Sequence, residues 1–442
     1  MTADVSDAAQ PGFQPPAGSA TQPAIDPDTI IRSVLFLAAF LAAWISFHPY
    51  PDLSLPPQSV VEGGDPANQI GYSAMFLSFA AWTYWHQPRR LMLLVRPALI
   101  ATVAWCVLSV VTSWEPALAA RRLTFELIVI SIAAMILLVP KNLGQFSDLL
   151  AAAALIVLLA CYLGVLLWPQ YAVHHATDFL EPEHAGEWRG VFPHKNNAGA
   201  AMVLFVFIGF YVARMRSFAL GAAIVALAGI FLGFTESKTA MGVLPIALIL
   251  SATIGRSRSA VLGIAIVVAT LFIFELCSVG TVIFAPVQEL MQAIMPDATF
   301  TGRTEIWQLA VQAVAQRPFT GYGFSAFWGT PEVVYGLSSH PTWANAATDA
   351  HNAYLNLAVT IGIPGMLLVV LWVVVLPIAD FCRRPPEPET APLQMLFLRV
   401  CLYGVYSSCF ESSILQQAGE VWFFYLISAF GLRYLSLTRA MA

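Results

Sequence analysis

Long apolar runs separated by short polar breaks dominate this chain. They fall near 30–47, 70–86, 91–113, 123–140, 148–168, 197–213, 218–234, 240–255, 260–284, 353–379, 392–410 and 418–436. Each approaches the roughly 20 residues that a helix needs to cross the hydrocarbon of a bilayer. Backbone groups in lipid must be satisfied within the segment, and an α-helix does this. The pattern predicts an all-α integral membrane protein with about 12 transmembrane helices. Glu275 interrupts the run 260–284, which reads as a span followed by an interfacial helix.

Two polar segments, 170–196 and 285–352, are too long to be turns. In the second, Ile306, Leu309, Ala310 and Val314 recur at helical spacing, so it should contain helices laid against the bundle. The organisation expected is a tail (1–27), spans 1–9 (28–284), a large loop with short helices (285–352), and spans 10–12 with a second tail (353–442). The first 27 residues are rich in Pro, Ala, Gln and Asp and lack the basic start and apolar core of a signal peptide, so they read as a disordered cytoplasmic tail.

Composition supports the span pattern. Charged residues make up 11% of the chain and hydrophobic ones 58%, whereas a soluble domain carries about 25% charge. The placement of charge says more than its sum of -5. If the spans alternate, Arg89/Arg90, Lys141, Arg214/Arg216, Arg256/Arg258, Arg383/Arg384 and Arg433/Arg439 share one side, which the distribution of cations identifies as the cytoplasm. Both termini are then cytoplasmic.

Arg121, Arg122, Arg189, Lys195, Lys238, Arg303 and Arg317 fall on the outer side against that rule, together with His48, His174, His175, His184, His194, His340 and His351. Charges at a membrane edge are costly unless something anionic or aqueous meets them. They point to a site for a charged, polyhydroxylated ligand. The six cysteines form no CxxC pair and lie mostly in apolar runs, so they read as packing residues.

Three polar knots carry the candidate chemistry: Arg189–Gly199, Thr301–Trp307 and Asp349–Tyr354. Arg189 and Arg303 suit bidentate contact with phosphate oxygens; the alternatives are snorkelling to headgroups or pairing with Glu187 or Glu305. Gly190 and Gly302 permit close backbone approach. Thr301 and Thr304 can cap a helix whose N-terminus favours an anion. His351, between Asp349 and Asn352, is either a general base for a hydroxyl or a capping histidine.

Lys238, in Thr235–Ala240, either faces an anion or sits in a solvated turn. Arg121 and Arg122 open a helix where its dipole disfavours cations, which calls for a carboxylate such as Glu115 or Glu126. Trp307, Tyr322, Phe324, Phe327, Trp328 and Trp343 suit either sugar stacking or a membrane-interface belt. Glu411 reads as an acid or base, or as a structural partner of an arginine. No HxxxH or HExxH occurs, and the adjacent His174 and His175 diverge in regular structure, so no metal site is expected.

The sequence resembles the O-antigen ligase and polymerase superfamily of bacterial membrane proteins, above all its exopolysaccharide-polymerase branch. The resemblance rests on R-G-V-F-P-H-K-N-N-A-G from Arg189, E-S-K-T-A from Glu236, T-G-R-T-E-I-W from Thr301, R-P-F-T-G-Y-G-F from Arg317, and H-N-A-Y-L-N-L-A-V-T-I-G-I-P-G from His351. It implies a helical bundle in the bacterial inner membrane, with a large periplasmic loop between spans 9 and 10 and a periplasmic active site.

It also implies glycan transfer from an undecaprenyl diphosphate-linked oligosaccharide to an acceptor hydroxyl. The acceptor is another lipid-linked repeat in polymerases and the lipid A core in ligases. His351 maps onto the family's acceptor-activating histidine, and Arg189 and Arg303 onto its diphosphate-binding arginines. Lys195, His194, Asn196, Arg122, Lys238 and Asn352 complete the expected substrate-binding set.

No cofactor, metal or nucleic acid is expected. Membrane lipid, a chain-length-regulating copolymerase and a flippase are the further partners that the resemblance suggests. A ligase acting on lipid A core or protein is the first alternative. A non-catalytic transporter is the second, although the polar residues gather at one face rather than at mid-bilayer.

Overall fold

Proline sets where the first helices begin, since its missing N–H costs nothing at that position. It opens α1 (Pro27–Ile45), α2 (Pro66–His86), α3 (Pro88–Leu94), α4 (Pro97–Val111) and α5 (Pro116–Ile136). Then follow α6 (Leu143–Leu167), α7 (Pro169–Ala172), α8 (Lys195–Met215), α9 (Phe218–Thr235), α10 (Lys238–Ser257), α11 (Ala260–Cys277), α12 (Gly280–Ile283), α13 (Ala285–Ile294) and α14 (Arg303–Gln316). The last group is α15 (Ala353–Val370), continued through a π-helical turn (Leu371–Val375) into α16 (Leu376–Cys382), with α17 (Ala391–Ser407) and α18 (Glu420–Leu437).

This computed structural model describes residues 26–55, 65–294, 303–330, 333–334, 344 and 347–438. The tail to residue 25, Thr301, Gly302, His340, Trp343 and Arg439 of the sequence reading lie outside them.

Every apolar run of the sequence coincides with one of these helices or with a broken helix. Among the described residues, seven helices are long and apolar enough to cross a membrane, and eight if α3 and α4, bent by 76° at Val95–Arg96, form one broken span. The protein is therefore a multi-pass α-helical membrane protein. The other runs fall in helices that are shorter or more polar, such as α5 with Arg121, Arg122 and Glu126. The interruption expected at Glu275 comes just after it: α11 stops at Cys277, and α12 and α13 follow.

Successive runs alternate in direction, as their end contacts show. At one end, Lys141 pairs with Asp26, Arg216 with Asp148, and Arg96 with Asp380. The other end gathers the C-termini of α1, α9 and α11 with the N-termini of α8, α10, α14, α15 and α18. The core lies around α8, α17 and α18, whose side chains are mostly buried.

Two segments build that second end. Helix α14 buries Ile306, Trp307, Ala310 and Ala313. Its inward face is rotated from the Ile306–Leu309–Ala310–Val314 stripe read in sequence, because Trp307 turns inward and donates Nε1–H to the Ala350 carbonyl at 3.0 Å.

The loop after α14 inserts into a kink of α15. Tyr322 and Gly323 donate N–H to Val359 and Thr360, and Ile363 donates to Pro318. Gly362 makes this approach possible. Its φ is +74°, and a Cβ there would meet the Phe319 carbonyl oxygen at 2.0 Å. Tyr322, Phe324, Phe327 and Trp328 are consequently buried, Trp114 packs against Tyr322 and Phe327, and none of the four offers a free face to a sugar.

Candidate active site

Three elements reach one carboxylate. Glu411, in the loop after α17, accepts from Arg303 Nη2 at the start of α14 at 3.0 Å. It accepts from Asn196 Nδ2 at the start of α8 at 3.2 Å. Its other oxygen stands 3.6 Å from His351 Nδ1. Arg303 also donates to the Phe410 carbonyl, and Asn196 accepts from Ser237 Oγ, the residue before α10, at 3.1 Å. Beside these, Asn197 donates to Glu420 at the start of α18 at 2.7 Å.

His351 is held from below. Its backbone is left-handed, with φ +46°, an uncommon state for a residue with a side chain. The N–H fixes this state by donating to Asp349 Oδ1 at 2.7 Å. Asn352, fully buried, caps α15 by accepting from Leu355 N–H and donates to Glu275 and to the Cys409 carbonyl. With its bonds spent on protein, Asn352 braces His351 rather than presenting itself to a ligand.

The imidazole has two unlike edges. Nδ1 is buried and faces Glu411 and, at 3.8 Å, Asp349. The side chain as a whole is 36% exposed, so the Nε2 edge carries the access. Burial lowers the pKa of His351, but Glu411 and Asp349 outweigh it and leave the value above the ordinary 6.5. For Glu411, burial acts upward, but His351 and Arg303 outweigh it and hold the group below the ordinary carboxylate value. A histidine oriented by carboxylates on one nitrogen and open on the other is the arrangement of a general base.

The remaining expected residues divide. Arg189 is 1% exposed and points inward. It donates to the Pro51 carbonyl at 2.6 Å and the Phe192 carbonyl at 3.1 Å, and its Nε has no partner among the described residues. Burial pushes its pKa down to about 10, with Asp178 and Asp52 acting the other way, so it stays charged at neutral pH. Gly190 beside it has φ +59°, and a Cβ there would meet Cys161 Sγ at 2.6 Å.

Lys195 pairs with Glu187 at 2.7 Å. Lys238 is exposed at the first position of α10, and its neighbour Ser237 reaches the site instead. Arg122 donates to the Ser325 carbonyl. Glu126, one carboxylate considered for it, instead accepts from Trp422 Nε1 at 2.6 Å and Gln417 N–H at 2.7 Å.

His194 belongs to a second cluster, joined to the first through Asn196. The rings of His174, His184 and His194 lie 5.2 to 5.8 Å apart, a gathering that spacing along the chain does not show. Ligand atoms of Glu181, His184 and His194 lie within 4.8 Å of one another, the reach of a single ion. Contacts within the protein already engage these groups. His194 Nδ1 accepts from Asn196 N–H, which places its proton on Nε2, facing Glu181 at 2.8 Å. His184 Nδ1 faces Glu187 at 3.1 Å. Binding through His194 Nε2 would move that proton to Nδ1 and remove the cap from Asn196, so the donor set fits a hydrogen-bonded network better than a metal. The His194 contact is the main reason the pKa of Glu181 falls to about 2.

Glu275, Ser237, Asn197 and Glu420 were not among the site residues read from sequence. The available signal was carboxylates placed within or against apolar runs, where they are costly without a partner.

Comparison with known proteins adds identity to this geometry. Residues 222–370 match the Wzy_C family, described as O-antigen ligase. That stretch holds Lys238, Glu275, Arg303, His351 and Asn352, and leaves Arg189–Asn197 and Glu411 outside. A relative, the exopolysaccharide production protein ExoQ of Rhizobium meliloti (strain 1021), is 24% identical over 220 residues, covering 47% of this chain and 50% of the relative. The chain thus spans about half the length of the curated relative it matches. Through residues 222–370 and this likeness, the chain is similar to the O-antigen ligase family and to an exopolysaccharide production protein.

Proposed function

We propose that this protein is a membrane glycosyltransferase that extends an exopolysaccharide or O-antigen-type glycan from undecaprenyl diphosphate-linked repeat units. The observation that carries the reading is His351, with Nδ1 held against Glu411 and Asp349 and its other edge open, beside Arg303. The acceptor hydroxyl gives its proton to His351 Nε2 as its oxygen attacks the anomeric carbon of the donor. The bond from that carbon to the diphosphate breaks, its electron pair leaves with the lipid diphosphate, and the configuration inverts.

Arg303 uses part of a five-donor fork on Phe410 and Glu411. The rest can hold the charge that develops on the leaving group. Lys195, His194 and Asn196 border the same end of the bundle and would line the diphosphate and sugar, with Lys238 at the exposed rim. Arg189 would reach a ligand only by releasing two carbonyls, and acts instead as the brace beneath the loop. The chemistry needs no ATP, because the donor bond supplies the energy.

Glu411→Gln gives a pH test. A base must be neutral to act, so transfer rises with pH through the raised pKa of His351. Removing the Glu411 charge lowers that pKa. The acid limb of the rate profile should move to lower pH while the maximal rate falls. Initial rates from about pH 5 to 9, the range in which histidine titrates, would show it, and an unmoved limb would dismiss the coupling.

The site is proposed to face the periplasm, with both termini in the cytoplasm of a bacterial inner membrane. The basic residues at the opposite end support this. Glu183→Cys, in the loop beside the site, should react with a membrane-impermeant maleimide on intact spheroplasts. Ser217→Cys, at the opposite end, should react only after permeabilisation. The reverse pattern would invert the topology.

A ligase that passes glycan to lipid A core is the second reading, favoured by the description of the matched family. Proteoliposomes given lipid-linked repeats alone separate the two. Chains longer than one repeat mean a polymerase; product only after lipid A core is added means a ligase.

A further inference from the structure

A pocket of about 430 Å³ opens between α2, the first turns of α5 and the loop before α18, apart from the residues around His351. Its polar wall is made of Asn68, Gln69, Ser73, Arg121, Arg122 and Gln417, and its floor of Phe125 and Ile128. Amide and hydroxyl side chains both donate and accept, as sugar hydroxyls require, and two guanidinium groups add positive charge. Asp65, also in the wall, has its carboxylate engaged by Ala67 N–H, Asn68 and His48.

The pocket shares its loop with the site. Leu415 and Gln417 both adopt left-handed backbone, with φ 54° and 57°, and buried Glu126 fixes the turn by accepting Gln417 N–H. Gln417 lies six residues from Glu411 and three from Glu420. A chain of six residues spans at most about 20 Å, so the pocket stands within a few sugar units of His351. Arg122, donating to Ser325, ties the opposite wall to the loop that enters the kink of α15.

We infer that this pocket is a glycan subsite, seating an oligosaccharide segment with an acidic substituent, beyond the unit that reacts at His351. The inference rests on the reading of the protein as a glycan transferase and adds the substrate class to it. The pocket holds the growing or incoming chain in register, and its cations select carboxylate-bearing or otherwise anionic repeats over neutral ones.

Two measurements test it on the full chain in nanodiscs. The first is maleimide labelling of Ser73→Cys in the presence of an oligogalacturonate or a neutral malto-oligosaccharide of equal length. Slower labelling with the acidic probe alone is expected. Equal rates with both probes and without either would overturn the inference. The second is transfer kinetics of Arg121→Gln and Gln417→Ala. Losing a charged hydrogen bond to the glycan should raise KM for the lipid-linked acceptor about tenfold to a hundredfold, with kcat nearly unchanged. A fall in kcat at constant KM would contradict the subsite.

The labelling arm separates the two readings. Protection by the acidic probe in a protein that forms no product would keep the pocket and reject the transferase. Product formation without protection would keep the transferase and reject the pocket.

Discussion

Replacing His351 with alanine should lower glycan transfer by about a hundredfold to ten-thousandfold, the usual worth of a positioned general base. The protein should still insert and run as a single species in detergent. Among the described residues the imidazole makes no hydrogen bond that holds the bundle together: Nδ1 has no hydrogen-bond partner there, and the side chain is 36% exposed. The structural work at this position is done by the His351 backbone N–H, bonded to Asp349, and by Asn352, buried against Glu275 and Cys409.

The left-handed backbone at His351 is the one complication. His351→Asn meets it, since asparagine tolerates that conformation and lacks a usable base. Both variants should therefore be inactive and folded. Wild-type yield of product from either would remove His351 from the chemistry.

Arg189→Ala should act on stability first. The guanidinium is buried and gives charged hydrogen bonds to Pro51 and Phe192, tying the segment after α1 to the loop before α8. Its loss leaves two carbonyls without their donor and a void where the side chain packed. The expected cost is about 3 to 5 kcal/mol. It should appear as a thermal midpoint lower by several degrees, and as reduced yield of folded protein. Whatever folds should keep much of its rate per molecule. A variant of unchanged stability that has lost binding of the lipid-linked donor would instead place Arg189 on the diphosphate.

The arginines of the first two polar knots thus differ in a way that no local pattern reveals. Each lies beside a glycine and near the start of a helix. Arg303 meets Glu411, which is 108 residues away in the chain, and Arg189 meets Pro51 at a separation of 138. The apolar runs are legible in sequence because their periodicity is local, as are the break near Glu275 and the helix in the loop around Ile306. Glu305 for Arg303 and Glu126 for Arg122 are the partners that sequence suggests, because neighbours along the chain are all that a single sequence offers.

The cluster of His174, His184 and His194 was hidden for the same reason. A loop folded back on itself, with Gly186 N–H bonded to the His174 carbonyl and His174 N–H to the Glu187 carbonyl, brings them together. The aromatic residues around Trp328 leave two readings open in sequence, a sugar platform or a membrane-interface belt. Their composition suits a sugar platform, but insertion of the loop at Gly362 buries them.

The most direct test of the account is to incubate purified lipid-diphosphate-linked repeat units with proteoliposomes of the wild type and of His351→Ala. Glycan length, released lipid diphosphate and anomeric configuration are then followed together. Wild-type chains longer than one repeat, one lipid diphosphate released per bond formed and inversion at the new linkage are expected, with His351→Ala slower by about a hundredfold or more. Extension that retains configuration, or that continues at the wild-type rate in the folded His351→Ala variant, would contradict a mechanism in which this histidine takes the proton of the attacking hydroxyl.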